Sequence, residues 1–271
     1  MAVTNFMPTI WSKNILDNLE KVCKLVDGCH REYEGDCKHA QSVKILGVGE
    51  PTLGDYEGKD IEIEEMSDAS QLLTIDQAKY FAFYVDDVDQ AQSVPGLPEK
   101  FQEKAIHKLA VARDTYIANL IKGVTLNVTT VTNLTEEAVK SGIDDAIVEL
   151  RNRDFYEEGR IEITPSVYNL FKNNLITLST DNPEYIKKGI VGVYDGFEVV
   201  MSNNMATDGT YAYCAVRGKK AIAFAGQLEK VEAHPAEKRF ADIVKGLDVY
   251  GAKVIDEARI QVIKVPLKAT V

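Results

Sequence analysis

The chain has 271 residues, 45% of them apolar, and a formal net charge of −11. That length can bury one large core or two modest ones, and the acidic balance argues against a primary nucleic-acid binder, whose grip on phosphate rests on Lys and Arg. No apolar run approaches a membrane span, the opening MAVTNFMPTIW lacks the regions of a signal peptide, and four cysteines without a CxxC pair fit reduced thiols, so a cytoplasm is the simplest compartment.

Residues 8–26 read as a short amphipathic helix, with Pro8 at its start and Trp11, Ile15, Leu19 and Val22 recurring at spacings of three and four. Such a helix either packs on its own core or docks as an arm on a neighbouring subunit. The polar stretch DGCHREYEGDCKH tethers it to the rest of the chain. Strand-like ends at Ser42–Val48 and Leu72–Val85 then flank a middle rich in Gly, Pro and acid, which predicts a long hairpin-type excursion. In that middle Asp55, Glu57, Asp60, Glu62, Glu64, Glu65 and Asp68 face a single base, Lys59. The excursion is either a solvated loop or a surface that gains from a basic partner. Along LTIDQAKYFAFYV, Phe81, Phe83 and Val85 share one face and Tyr80, Ala82 and Tyr84 the other, so both faces are expected to be at least partly covered.

Residues 98–122 predict one uninterrupted helix, started by Pro98, with Glu99 and Glu103 at its positive end and Lys122-Gly123 as its stop. At 1.5 Å per residue it spans on the order of 37 Å. Apolar rows through Phe101, Ala105, Leu109, Ala112, Tyr116 and Leu120, and through Ile106, Ala110, Ile117 and Ile121, make a wide stripe that packs along its whole length. It is the spine of the molecule. Beyond it Val124–Asn133 reads as extended, and Thr135 with Glu136 and Glu137 opens a second helix with apolar positions at Ala138, Ile143, Ala146, Ile147 and Leu150. RIEITPSVYNLFKN predicts a strand turning at Pro165 into a short helix. Phe197–Ser202 and Thr210–Val216 resemble hairpin strands around Asp208-Gly209, Ala221–Ala225 and Leu228–Ala233 add two more, and the tail holds two strands broken at Asp256-Glu257. The result is a mixed α+β chain without internal repeats.

No constellation points to catalysis. Gly47-Val48-Gly49 follows a strand but lacks the third glycine and runs into Glu50-Pro51, and no GxxxxGK[ST], GxSxG or HExxH occurs. His107, four residues after Glu103, suits an exposed ion pair or a packed imidazole, and His234 has no evident partner. Cys29, His30, Cys37 and His39 can be drawn as a metal site, although their spacing fits no ordinary zinc pattern, and whether they bind a metal stays open. Asp86-Asp87-x-Asp89 suits a hard cation, but three acids before a helix also cap and solvate a strand end. Asn127-Val-Thr and Asn133-Leu-Thr are formal glycosylation sequons, without meaning outside a secretory pathway. No cofactor is expected.

The segments NFMPTIWSKNILDNLEK, LLTIDQAKYFAFYVDDVDQAQ, ARDTYIANLI and GLDVYGAKVIDEARIQVIKV, in that order over nearly the whole chain, resemble the major capsid proteins of tailed bacteriophages, the Hong Kong phage 97-like fold, and within it the podovirus-type coat protein group. The resemblance implies an α+β fold with an N-terminal arm at 1–40, an extended loop (the long β-hairpin) at 41–86, a peripheral domain at 87–123 and 229–271 carrying the spine helix 98–122, and an axial domain at 124–228. It implies a structural protein, not an enzyme, that self-assembles into pentamers and hexamers of an icosahedral head, first a procapsid and then an expanded shell around double-stranded DNA, held without sequence-specific binding. A nanocompartment shell of the encapsulin type, enclosing a protein cargo, is the alternative. The expected partners are other copies of the chain, a separate scaffolding protein (the excursion begins near residue 42, leaving little room for a built-in one) and a portal protein, with no membrane; the expected location is the virion, after assembly in the host cytoplasm. Covalent cross-linking, known in some relatives, has no matching motif around Lys59. The expected inter-subunit contacts are Trp11 on the arm, Asp55, Glu57, Lys59, Asp60, Glu62, Glu64 and Glu65 on the excursion, and a basic surface through Lys104, Lys108 and Arg113 of the neighbour's spine.

Overall fold

The computed structural model describes residues 23–34, 42–48, 68–86, 97–172, 190–235 and 241–268. Its strands are β1 (Ser42–Val48), β2 (Asp68–Thr74), β3 (Gln77–Asp86), β4 (Val128–Thr130), β5 (Gly159–Ile163), β6 (Ile190–Tyr194), β7 (Phe197–Met201), β8 (Tyr211–Gly218), β9 (Ile222–Pro235), β10 (Ala241–Val254) and β11 (Ile260–Pro266). The helices are α1 (Leu97–Gly123), α2 (Glu136–Asn152) and α3 (Pro165–Phe171). Among the described residues the strands make a two-stranded ribbon β1-β2, a three-stranded sheet β3-β10-β9 and a six-stranded sheet β4-β11-β8-β5-β7-β6.

The six-stranded sheet is covered on both sides, and the period-two alternation of its strands sorts the two cores. Ile161, Ile163, Cys214, Val216, Ile263 and Val265 point to one side, where they meet Val139, Ile143, Ala146, Ile147 and Leu150 of α2 and Val167 and Phe171 of α3. Tyr213, Ala215, Ile260 and Val262 point to the other side, into the core of the spine α1. Local chemistry fixes both covering helices. Thr135 caps α2 by accepting from the Ala138 backbone N–H at 3.3 Å, and Thr164 caps α3 by accepting from that of Val167 at 3.4 Å, with Pro165 in the first turn, as the sequence predicts.

The spine, 27 residues long, buries Ile106, Ala110, Ile117 and Ile121 against this second core together with Leu109 and Ala118. Of the other predicted row, Ala105, Ala112, Tyr116 and Leu120 are half-buried. The spine also lies under the inner face of the three-stranded sheet, where Phe81 and Phe83 pack against its core.

Several strand expectations are corrected. Leu72–Val85 is not one strand: it breaks at Ile75-Asp76, where the chain leaves β1 as a partner and joins β10. Gly251 makes the break possible, because a Cβ there would overlap the Thr74 carbonyl and the Ile75 backbone. The Tyr80 and Tyr84 face of β3 is not covered: these residues are 80% and 60% exposed. Phe197–Met201 and Tyr211–Gly218 do not form a hairpin, since β5 separates them. The hairpin is β6-β7, closed by Asp195 and Gly196 with φ of 49° and 85°, the two positive values that a tight primed turn requires. Residues 222–235 form one long strand rather than two. β11 lies inside the six-stranded sheet, between β4 and β8, so that sheet draws on the tail as well as on residues 124–228.

Candidate subunit-contact surface and its polar root

At mid-spine the apolar stripe is interrupted by adjacent charges, Arg113 and Asp114, 2% and 1% exposed. Two oppositely charged residues on an apolar helix face need partners, since an unpaired buried charge costs several kcal/mol. Arg113 donates Nε to Asp248 Oδ2 at 2.9 Å and Nη2 to Asp248 Oδ1, so the guanidinium grips the fully buried carboxylate of β10 with two bonds. Its Cζ also lies 5.6 Å and 5.8 Å from the ring centres of Phe224 and Tyr250. The segments ARDTYIANLI and GLDVYGAKVIDEARIQVIKV are therefore joined through one buried ion pair.

Asp114 faces a different partner. Its carboxylate accepts from the backbone N–H groups of Lys24, Leu25 and Val26 at 3.0, 3.1 and 3.3 Å, and from Asn204 Nδ2 at 3.4 Å. Burial pushes its carboxyl above the usual carboxylate range, against the opposite pull of these backbone N–H groups. On the far side of the same turn Arg217 of β8 donates to the Leu25 and Gly28 carbonyls at 2.8 and 2.6 Å, while Glu162 of β5 accepts from Arg217 Nε and Nη2 at 3.0 and 2.6 Å. Burial opposes the Arg217 charge, but Glu162 outweighs it and holds the guanidinium above its ordinary range. Arg160 of β5 binds Asp27 at 2.8 Å and Glu198 at 3.1 Å. The composition of the stripe carried a usable signal for this cluster: a charged pair at positions reserved for apolar residues implies buried partners.

The root of the excursion is fastened differently. β1 and β2 pair antiparallel from Ser42↔Thr74 to Val48↔Asp68, so the ends that flank residues 49–67 meet as a hairpin ribbon, in line with the expectation for those ends. Val43, Ile45 and Leu73 pack on Ala223 and Ala225 of β9. The Tyr116 hydroxyl of the spine donates to Asp76 Oδ1 at 2.9 Å at the break between β2 and β3, and burial, helped by Asp76, pushes that hydroxyl up to about 12. Gln71 Nε2 donates to the Ile255 carbonyl at 2.9 Å. Beside this root lies the outer face of β3 and β10, where Tyr80 sits opposite Leu247, Ala82 opposite Lys245 and Tyr84 opposite Ile243.

Of the expected contact residues, Lys104 and Lys108 are exposed, one turn apart on the spine. Arg113 is not available to a neighbour: it is buried and committed to Asp248, because its place in the helical repeat faces the core. Trp11, Asp55, Glu57, Lys59, Asp60, Glu62, Glu64 and Glu65 lie outside the described residues, as do Cys37, His39, Asp87 and Asp89. Cys29 is fully buried, its thiol donates to the Leu25 carbonyl at 3.5 Å, and burial pushes it up to about 11, so it is held as a neutral thiol. His30 Nε2 lies 3.5 Å from Glu32 instead. Among the described residues no group of three His, Cys, Asp or Glu stands close enough to hold a metal ion, and no helix is long and apolar enough to cross a membrane.

No protein-family model matches the chain, and no curated protein does. Solved structures do. A chain of Mycobacterium phage Che8 is 26% identical, with 88% of this chain and 90% of that one covered at a TM-score of 0.69. The capsid of cyanophage P-SCSP1u is 16% identical, with 85% and 84% covered and a TM-score of 0.65. A virus-like particle from Pyrococcus furiosus is 11% identical, with 94% and 98% covered and a TM-score of 0.58.

Proposed function

We propose that this chain, a shell-forming structural protein with the Hong Kong phage 97-like fold of tailed-phage major capsid proteins, builds the pentamers and hexamers of an icosahedral phage head that encloses double-stranded DNA. The observation that carries the reading is the match to the Che8 chain at 26% identity over nearly the full length of both. The surface fits it. A ribbon carries an acidic excursion whose centre has too few large apolar residues to build a core of its own, and the adjacent sheet leaves aromatic side chains exposed. Both features gain from a second copy.

In this reading residues 1–40 are the arm, with Trp11 on a neighbour, 41–86 the extended loop, and the spine with the three-stranded sheet the peripheral part. The acidic residues from Asp55 to Glu65 meet an adjacent subunit, with Lys104 and Lys108 of its spine among the basic groups in reach. The net charge of −11 keeps the shell from gripping phosphate while enclosing DNA. A scaffolding protein and a portal protein act as separate chains, and assembly in the host cytoplasm leads to the virion.

The likeness to the Pyrococcus furiosus particle favours a second reading, a shell of the same architecture around a protein cargo. One experiment separates them. The protein is expressed alone and with its genomic neighbours, and particles are imaged by negative-stain microscopy and analysed for contents. Closed shells or tubes that copurify with a portal and package DNA support the phage head. Shells holding one cargo protein favour the second reading, and a monodisperse small oligomer overturns both.

A further inference from the structure

The turn Lys24–Gly28 is gripped from both ends by opposite charges on two separate bodies. Its N–H groups meet the Asp114 carboxylate of the spine, and its carbonyls meet the Arg217 guanidinium of the six-stranded sheet. The N–H groups at the start of the short 3-10 turn Val26–Gly28 face Asp114 and the Gly28 carbonyl at its end faces Arg217, which also reaches back to the Leu25 carbonyl that closes the turn by accepting from the Gly28 N–H at 3.2 Å. Around it, Lys24 Nζ donates to the Met201 carbonyl at 3.3 Å, and Arg160 holds Asp27. Leu25, Val26 and Cys29 are buried in the same core as the spine's Ile117 and Ile121 and the sheet's Ala215 and Val262. At Gly28 a Cβ would come within 3.0 Å of Arg217 Nη2, so the absence of a side chain lets the guanidinium reach both carbonyls.

We infer that Lys24–Gly28 is a keystone: an inserted turn whose backbone polar groups couple the spine to the six-stranded sheet. Asp114 and Arg217 do not touch one another through a direct ion pair; each is tied to the turn, so the link between these two buried charges runs through its peptide groups. Tension on the N-terminal residues then acts on the angle between spine and sheet. That last step rests on the shell-subunit reading, in which a neighbour engages those residues, whereas the joint itself is a property of the single chain.

The test is amide hydrogen exchange on the unassembled full chain, so it does not depend on whether shells form. Asp114→Asn keeps the shape and removes the charge that three backbone N–H groups share. Hydrogen bonds to a charged group contribute enough that their loss speeds local exchange on the order of 10- to 100-fold. The expected pattern is faster exchange at Lys24, Leu25 and Val26 and, with them, at the spine residues from Ile117 to Ile121, while α2 from Val139 to Leu150 keeps its rates. Arg217→Lys approaches the joint from the sheet, keeps a charge opposite Glu162 and cannot reach both carbonyls; it should give the same regional pattern. Acceleration at the turn alone would reduce Asp114 to a loop anchor, and unchanged rates or uniform acceleration through α2 would equally overturn the keystone. Should Asp114→Asn fail to fold, the Arg217→Lys pattern decides by the same criteria.

Discussion

The two larger sheets of this chain are finished to different degrees. In the six-stranded sheet β8 and β11 are buried at nearly every position, because α1 lies on one side and α2 with α3 on the other. In the three-stranded sheet β3 alternates: Phe81 and Phe83 are half-buried over the spine, while Ala78, Tyr80, Ala82 and Tyr84 are exposed. Both sheets obey the same pleat, so the difference lies in the number of layers that the described residues supply. A sheet with no second layer among the described residues, and tyrosines exposed on that side, is an incomplete sandwich there, and in a shell another copy can supply that layer.

The largest effect expected from this contrast lies in the completed sheet. Ile263 is fully buried among α2 residues, and Ile263→Ala should lower the unfolding free energy of the unassembled subunit by about 2–5 kcal/mol, read from the shift of a denaturant midpoint. A loss below about 1 kcal/mol would mean that the helical layer is loose and the contrast between the sheets is smaller than their burial implies. A middle effect belongs to the inner face of the other sheet. The Phe81 ring lies over Gly246, where a Cβ would overlap it, so Gly246→Ala should cost about 1–3 kcal/mol by displacing the ring from the spine core. No change in the midpoint would show that Phe81 has room to move and that this inner face is itself underpacked.

The same contrast explains what the sequence could and could not say. Elements fixed by local chemistry were legible: the spine from its two apolar rows, α2 from Thr135 and its acids, and the turn into α3 from Pro165, with the Thr164 cap added by the structure. The strand pattern around Tyr80 gave the two faces correctly but not their environments, because alternation of large apolar residues reads the same whether the second layer belongs to this chain or to another. Pairing was less legible. Asp208-Gly209 and Asp195-Gly196 are equivalent as turn dipeptides, and only the placing of β5 between β7 and β8 assigns the hairpin to the second. The break at Ile75-Asp76 depends on the close approach of Gly251, from the far end of the sequence, which no local pattern encodes. Arg113 was misplaced on the surface because charge was weighed above helical position, although Ile106, Ala110, Ile117 and Ile121 on the same stripe already pointed it inward.

The smallest effect on the monomer should accompany a large effect on assembly, and that combination is the sharpest test of the unfinished sheet. Tyr80 is 80% exposed on the bare face, so Tyr80→Ser removes little that the single chain buries, and the unfolding free energy should stay within about 1 kcal/mol of the parent. If another copy supplies the missing layer, the same ring is enclosed on association, where an aromatic anchor can carry about 2 kcal/mol or more of the contact. Each 1.4 kcal/mol is tenfold in an association constant, so the subunit concentration at which particles first form should rise at least about tenfold. Light scattering against subunit concentration reads that threshold, and denaturation of the unassembled protein reads the stability. An unchanged threshold would leave the Tyr80 face in solvent within the shell. A raised threshold with an unchanged unfolding midpoint would assign that face to the contact between copies, because no defect inside the monomer separates the two measurements in that way.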